Sequence, residues 1–205
     1  VVAEPVTATC EINCYPESGF GNLIAQLTSH TKSSDPSRES IRSNFGGLDH
    51  ALLSSLKLDA AQGSVPTAFL NFVGAVSTGG NLPSSSSAAA ITTIYSTESI
   101  SINDSDVCAQ KISMDWAIPV SAIPKYTESL SYPTGFFGEP VGLTTVNAQG
   151  ITSFVSPITS IDFGGVRADF VDIKVISSGI SQAVGTVAAT FNVSFQCSSN
   201  NVTFS

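Results

Sequence analysis

The amino-acid sequence predicts an all-β protein: a single β-sandwich or jelly roll with one or two short helices in its connections. The strongest observation is an apolar residue at every second position from 187 to 197. A period of two indicates a strand with one face in a core and the other in water. Two further alternating segments, and turn residues at intervals of about 8 to 12 positions, are typical of sandwiches.

The first strand is predicted at the start of the chain, where alternate residues again share one face. These residues are Val2, Val6, Ala8, Cys10, Ile12 and Cys14, with Glu4 interrupting the pattern. Residues 1–9 precede the first cysteine, so we interpret them as an extended arm that can leave the domain without unfolding it. Residues 10–205 then form one sandwich domain, since neither a linker nor an internal repeat divides them.

Helices are expected only in the connections between strands. Residues 35–39 resemble a helix start, because Pro36 suits a first turn and Asp35 or Ser34 can cap it. Between Gly47 and Gly63 the apolar residues recur at spacings of three to four, which predicts one short helix. The apolar residues concerned are Leu48, Leu52, Leu53, Leu56 and Ala60.

The middle of the chain supplies further strands. Residues 67–76 are apolar at odd and even positions alike, which predicts a strand that is central or buried on both faces. A low-complexity loop follows at 77–90, and a strand at 91–102. Alternation from Cys108 to Val120 places Trp116, the only tryptophan, in the core, and Pro119 ends that strand. Short strands are predicted at 141–146, 151–155, 158–163 and 166–176, and a connection at 177–179 leads to the last strand.

Charge excludes two classes of partner. Only 12% of residues are charged, and the net charge is -8. Nucleic acid and anionic membrane surfaces are excluded because both require a basic surface. No apolar run approaches the roughly 18 to 20 residues of a membrane-spanning helix. The polar positions are mostly Ser, Thr and Asn, and the chain opens at Val1 without a basic leader, so we predict a mature secreted or cell-surface protein.

Four cysteines, an even number, predict an oxidising compartment and two disulfides. In an extended strand Cys10 and Cys14 lie about 13 Å apart, beyond the roughly 7 Å limit for a disulfide. They would then pair with Cys108 and Cys197, in an order that the sequence leaves open. The alternative is a tight Cys10–Cys14 loop together with a Cys108–Cys197 bond.

Catalytic and metal-binding patterns are missing from the sequence. The only histidines are His30, expected in an exposed loop, and His50, expected to face solvent on the short helix. Neither accompanies a serine or cysteine elbow, as nucleophilic catalysis requires. Neither C-x-x-C nor H-x-x-x-H occurs. We therefore predict no enzymatic activity, no metal and no cofactor.

Polar clusters have structural interpretations. Residues 103–106 have the composition of a calcium loop but fail the EF-hand order, so we favour a turn stabilised by Asn and Asp side chains. N-glycosylation acceptor patterns begin at Asn103, Asn192 and Asn201, and Asn192 is expected to point outward. Six carboxylates could supply the catalytic pair of a glycoside hydrolase, but we interpret them as strand and turn residues. They are Asp115, Glu128, Glu139, Asp162, Asp169 and Asp172.

Four aromatic residues allow two interpretations. Phe136 and Phe137, together with Tyr126 and Tyr132, could form a platform that binds sugar. They could equally close one end of the sandwich, and this is the interpretation that we favour. Their spacing in the sequence does not distinguish a surface platform from a buried plug.

The layout of the two ends resembles fimbrial, pilin-type subunits that assemble by donor-strand exchange. An alternating arm precedes the first cysteine, and the chain closes on a long alternating strand. The resemblance implies an immunoglobulin-like sandwich that polymerises with copies of itself, in which Val2, Val6 and Ala8 insert into a neighbouring subunit. A head-to-tail contact of this kind produces an open fibre. Four cysteines and a greater length depart from that family.

Three other functions remain open at this point. The first is a carbohydrate-binding or adhesive sandwich, whose partners are surface glycans or a host or cell surface. The second is a viral jelly-roll coat subunit, for which the missing basic arm argues against RNA packaging but not against a shell. A secreted hydrolase is the third. Self-assembly of the purified protein would favour the filament or the shell.

Overall fold

The structure is a computed structural model that describes residues 7–17, 19–33, 40–43, 46–76, 100–106, 109–125, 132–150, 158–182 and 189–205. The all-β prediction is confirmed, with one α-helix among the described residues. The elements are β1 (Thr7–Cys14), α1 (Phe20–Lys32), β2 (Ser40–Ser43), β3 (Gly46–Ala61), β4 (Thr67–Val76), β5 (Ser101–Ile102), β6 (Ser105–Asp106), β7 (Ala109–Ala117), β8 (Val120–Lys125), β9 (Tyr132–Gly138), β10 (Leu143–Gly150), β11 (Ser160–Asp162), β12 (Arg167–Phe170), β13 (Lys174–Ser181), β14 (Thr190–Ser198), a 3₁₀ helix (Ser199–Asn201) and β15 (Val202–Phe204).

Two antiparallel sheets enclose one core. The main sheet has the order β1-β4-β3-β7-β10-β14-β13, and β2 pairs with the start of β3. The second sheet has the order β15-β12-β11-β5-β6, and β8 and β9 form a separate hairpin. Buried side chains from both sheets, such as Met114, Val146, Ile161 and Phe204, belong to one apolar cluster. Burial of this continuous core is the main source of stability.

The predicted helix between Gly47 and Gly63 is wrong, because this segment is strand β3. The register against β4 shifts between Asp49 and Leu52 and again between Leu53 and Ser55. A bulge adds one residue to one strand and therefore changes the side-chain parity. His50 has a φ of 55°, as an irregular strand position allows. Two bulges convert a period of two into the three-to-four spacing that resembled a helix.

The helix that does exist, α1, escaped prediction because its buried face is not a stripe of apolar residues. That face consists of Gly21, Ile24, Thr28 and Thr31. The Thr28 hydroxyl donates to the Ile24 carbonyl at 2.8 Å, and the Thr31 hydroxyl donates to the Leu53 carbonyl on β3 at 2.9 Å. Two threonines therefore satisfy their polar groups inside the interface. The helix start predicted at 35–39 lies outside the described residues.

The alternating strands are confirmed, with changes at their ends. On β14 the buried residues are Val193, Phe195 and Cys197, and on β7 they include Trp116. β4 is internal to the sheet, but Phe69 on it is 43% exposed, so the strand is not buried on both faces. Residues 166–176 were predicted as one strand, but they divide between β12 and β13 around Asp172, whose φ is 57°. The connection predicted at 177–179 lies within β13, and the predictions for 77–90, 91–99 and 151–155 fall outside the described residues.

The described part of the predicted arm belongs to the sheet of its own chain. Thr7, Ala8 and Thr9 pair with Ala75, Gly74 and Val73 of β4. Ala8 is half-buried against the core, so it is not a free donor side chain. Val2 and Val6 lie outside the described residues. The boundary predicted after residue 9 is therefore wrong for residues 7–9.

Replacing Gly138 with alanine is expected to lower the free energy of unfolding by about 1–3 kcal/mol, the usual cost of overpacking. A Cβ at this position would overlap the Thr31 carbonyl oxygen and lie 2.9 Å from Thr31 Cγ2, so α1 and β9 would have to separate. The matched control is Gly179→Ala, where a Cβ meets nothing within 4 Å. Urea denaturation of both variants tests the prediction, and equal midpoints for G138A and the native protein would contradict it.

Candidate functional site

The cluster at residues 103–106 is a tight hairpin between β5 and β6. Asn103 and Asp104 have φ values of 53° and 59°, the left-handed conformation that a two-residue hairpin turn requires. Asn103 Oδ1 accepts hydrogen bonds from the Thr159 N–H at 2.7 Å, the Thr159 hydroxyl at 3.0 Å and the Ser160 N–H at 3.2 Å. The turn is confirmed, but the Asn103 side chain bonds residues 159 and 160 rather than the turn itself, and so it holds the hairpin against β11.

Asp104, on the same turn, forms an ion pair with an arginine side chain. Its carboxylate forms a hydrogen-bonded ion pair with the Arg167 guanidinium, whose Nε–H also donates to Asp169 Oδ1 at 2.9 Å. The hydrogen bond from Arg167, followed by its charge, lowers the pKa of the Asp104 carboxyl. In the ranges that the structure describes, no three His, Cys, Asp or Glu residues are grouped so that they could hold a metal ion.

Asn103→Ala is expected to lower the free energy of unfolding by about 1–3 kcal/mol, because two backbone N–H groups lose their acceptor. Asn103→Asp keeps an acceptor oxygen at the same position and should cost less. Urea denaturation followed by circular dichroism measures both losses. If N103D proves as damaging as N103A, the hydrogen bonds to Oδ1 are not what stabilises the hairpin.

The remaining carboxylates are spread over the fold rather than gathered into a pair. Asp115 lies on β7 in the main sheet, whereas Asp162 and Asp169 lie in the second sheet. Asp162 Oδ1 accepts hydrogen bonds from the N–H groups of Gly164 and Gly165 at 2.8 and 3.1 Å. Asp172 occupies a turn, Glu139 accepts a hydrogen bond from the Ser121 hydroxyl, and Glu128 is not described. Each described carboxylate is thus placed as a strand or turn residue.

The predicted aromatic group divides between the interior and the surface. Phe136 is completely buried on β9, which packs against α1 and β3, in agreement with the plug interpretation. Phe137 is 38% exposed on the same strand. Tyr132 begins β9, and Tyr126 lies outside the described residues. His30 is exposed as predicted, although on α1 rather than in a loop, and half-buried His50 lies on β3 rather than on a helix.

The disulfides predicted for Cys10, Cys14 and Cys197 are not formed, since all three are free thiols. β1 pairs with β4 over its whole length, which excludes a tight loop closed by Cys10 and Cys14. Four strands separate β1 from β14, a distance of roughly 24 Å along the sheet at about 4.8 Å per strand. Alternation predicts the face of a residue but not the strand order, which is why this pairing was wrong. Cys108 lies outside the described residues.

Burial makes two of these thiols weak nucleophiles. It raises the pKa of Cys197 to about 11, although the charge of Lys32 acts in the opposite direction. Burial, and to a lesser extent the charge of Glu17, also raises the pKa of Cys14. The thiolate is the reactive form, so both thiols are protonated and unreactive near neutral pH.

The three acceptor patterns lie in different environments. Asn192 is on the outer face of β14, opposite exposed Gln149, and its Nδ2–H donates to the Ser181 hydroxyl at 3.1 Å. This orientation confirms the prediction that Asn192 points outward. Asn201 is half-buried in the 3₁₀ helix, where its carbonyl accepts from the Val171 N–H at 2.9 Å. Asn103 is held by its hydrogen bonds to residues 159 and 160.

The surface that the sequence failed to single out is strand β13, at one edge of the main sheet. All eight of its residues are exposed. Among the described residues it pairs with β14 on one side and with nothing on the other. An open edge presents a row of N–H and C=O groups that can pair with another chain.

Apolar side chains on β13 face the core side of the sheet and are nevertheless uncovered. Val175 lies opposite Phe195 and Ile180 lies opposite Phe191, and directly opposed residues of an antiparallel pair share a face. Phe195 is 2% exposed, whereas Val175 is 46% exposed and Ile180 is 68% exposed. The core side of the sheet is therefore covered as far as β14 but not at the edge strand β13.

None of the helices that the structure describes is long and apolar enough to cross a membrane. Neither a scan of protein-family models nor a search of curated proteins finds a match to this chain.

Proposed function

We propose that this chain is a structural subunit of an extracellular filament, in which a strand from one subunit adds to the open edge of β13 in the next. The observation that carries the proposal is the eight-residue edge strand β13, exposed at every residue, with Val175 and Ile180 uncovered on its core side. An added strand would pair the free backbone groups and cover these side chains together.

The proposed donor is the segment that precedes β1. Ala8 is already part of the subunit's own sheet, so the donor side chains are Val2 and Val6. β1 and β13 lie at opposite edges of the main sheet. A contact that joins unlike surfaces of identical subunits is heterologous and does not close on itself, so it extends into a fibre.

The extracellular location rests on the sequence. Ser, Thr and Asn occupy the polar face of the strands in place of Lys and Glu, and Asn192 offers an outward-facing acceptor pattern. Only 12% of the residues in the chain are charged. Its surface can therefore pack against copies of itself while few charged groups lose their hydration. The resemblance of the two ends of the chain to those of fimbrial, pilin-type subunits is part of the support for this proposal.

Negative-stain electron microscopy of the purified chain, together with electrophoresis of boiled and unboiled samples, tests the proposal. We expect regular filaments and a ladder of bands that collapses on boiling. A variant that lacks residues 1–6 should remain a folded monomer by circular dichroism. The deletion stops before Thr7 because residues 7–9 pair with β4. Filaments of normal length from the shortened chain would contradict the donor role of residues 1–6.

A further inference from the structure

The outer face of the main sheet carries an open pocket of about 620 Å³ across β1, β4 and β3. We call it the Phe69 pocket, and it is lined by Glu11, Ile12, Asn13, Ser55, Lys57, Phe69, Leu70 and Asn71. It faces away from the core, and no predicted site residue belongs to it. Its volume falls within the range of about 300–1,000 Å³ that small-ligand sites occupy.

The strand register surrounds one aromatic ring with polar groups. Phe69 lies between Asn13 of β1 and Lys57 of β3, and the neighbouring row contains Asn71 between Glu11 and Ser55. Opposed residues on one face of a sheet lie about 5 Å apart and interact. Phe69 is exposed in the middle of this polar frame, so its ring is available to a ligand.

Two buried acceptor atoms on β3 and β4 have no donor in the described part of the chain. Asn71 Oδ1 and Asp59 Oδ1 are buried and accept no hydrogen bond from any described residue. The other oxygen of Asp59 pairs with Lys57 Nζ at 3.2 Å. Buried polar atoms are normally satisfied, and each exception requires an explanation. Asn71 lines the pocket, so a rotation of its side chain would bring the unsatisfied oxygen to a hydroxyl of a bound ligand.

The charges of the pocket favour an uncharged ligand. Lys57 is paired with Asp59, and Glu11 is the only other charged residue of the lining. A strongly anionic ligand would approach Glu11 and a partly neutralised lysine, and a cation would find one exposed carboxylate. Neither sign of charge is concentrated enough to select a charged ligand.

We propose that the Phe69 pocket binds a neutral carbohydrate of one or two sugar units, whose apolar C–H face stacks on the Phe69 ring while hydroxyls bond Asn71, Glu11 and Lys57. Aromatic rings supply a rigid contact area at low entropic cost. Amide and carboxylate oxygens accept from hydroxyls, and the ammonium donates to them. This activity does not depend on filament formation.

The test is a glycan array probed with the fluorescently labelled full-length protein. The array contains neutral glucose, galactose and mannose oligosaccharides beside sialylated and sulfated ones. We expect retention of at least one neutral oligosaccharide, and isothermal titration calorimetry then measures its affinity. Phe69→Ala should weaken binding by about two- to tenfold, since an aromatic contact is worth about 0.5–1.5 kcal/mol and 1.4 kcal/mol corresponds to tenfold. Phe69→Tyr keeps the ring and should bind nearly as the native protein does.

The matched control is Val171→Ala, which shortens an exposed apolar side chain outside the pocket. It should leave affinity unchanged. Circular dichroism establishes that F69A is folded, as expected for a partly exposed position. The proposal is overturned if no neutral oligosaccharide is retained, if acidic glycans bind more tightly than neutral ones, or if F69A binds as well as the native chain.

Discussion

Trp116→Ala is expected to lower the free energy of unfolding by about 3–5 kcal/mol, the usual cost of removing a large buried aromatic side chain. Trp116 is completely buried on β7. Its ring meets Phe204 of the second sheet edge-on, with centroids 6.4 Å apart and planes at 81°. The substitution would leave a cavity at the contact between the two sheets, and the surroundings could fill it only in part.

The indole also has a polar role, because Nε1–H donates to the Ser199 carbonyl at 3.1 Å. Ser199 is itself buried, and its hydroxyl donates to the Ala117 carbonyl at 2.7 Å and meets Thr144 Oγ1 at 2.9 Å. Ser199 therefore connects β7, β10 and the 3₁₀ helix. Trp116→Phe keeps most of the packing and removes one of two donors to the Ser199 carbonyl, which still accepts from the Val202 N–H. The lost hydrogen bond should cost about 0.5–1.5 kcal/mol.

Urea denaturation followed by far-ultraviolet circular dichroism measures both variants, since the tryptophan fluorescence signal is lost in both. The expected order of stability is native, then W116F, then W116A. An exposed comparison is Phe137→Ala, which should shift the midpoint little because its ring is already in contact with water. A W116A midpoint close to that of F137A would contradict a central role for Trp116 in the contact between the sheets.

Local periodicity predicted the strands whose environment is regular. β7 and β14 lie inside the main sheet, and each has one buried face and one polar face. Apolar and polar residues therefore alternate along their sequences. The same method failed for β3, because its two bulges change the parity within a single strand. It also failed for α1, where Thr28 and Thr31 are buried through hydrogen bonds rather than through apolar character.

Contacts between distant parts of the chain explain what else the sequence did not reveal. Ser199 is an ordinary polar residue in sequence, and its importance appears only when Trp116 and Thr144 are placed around it. The Phe69 pocket depends on β1, β4 and β3 being neighbours, and alternation does not encode strand order. For the same reason, β13 was predicted as part strand and part turn, although its position at the edge of the sheet is what makes it a candidate surface.

A double substitution on that edge, Val175→Lys with Ile180→Lys, is expected to abolish filaments while the subunit remains folded. Val175 is 46% exposed and Ile180 is 68% exposed in the single subunit, so the free energy of unfolding should change by no more than about 0.5 kcal/mol. In a filament the same positions would be covered, and an ammonium group there would lose its hydration without gaining a partner. Lysine on an edge strand is also a common natural defence against strand addition.

The matched control for this variant is Val141→Lys with Leu143→Lys, which charges two exposed apolar residues that lie away from β13. We expect it to form filaments of normal length, whereas V175K/I180K should give a monomer by sedimentation velocity and an empty field in the electron microscope. If both variants polymerise, β13 is not the acceptor edge. If both remain monomeric, added positive charge rather than the β13 edge controls assembly. If V175K/I180K alone fails to form filaments, the contact between subunits is assigned to β13. The two variants carry the same added charge and differ only in its position.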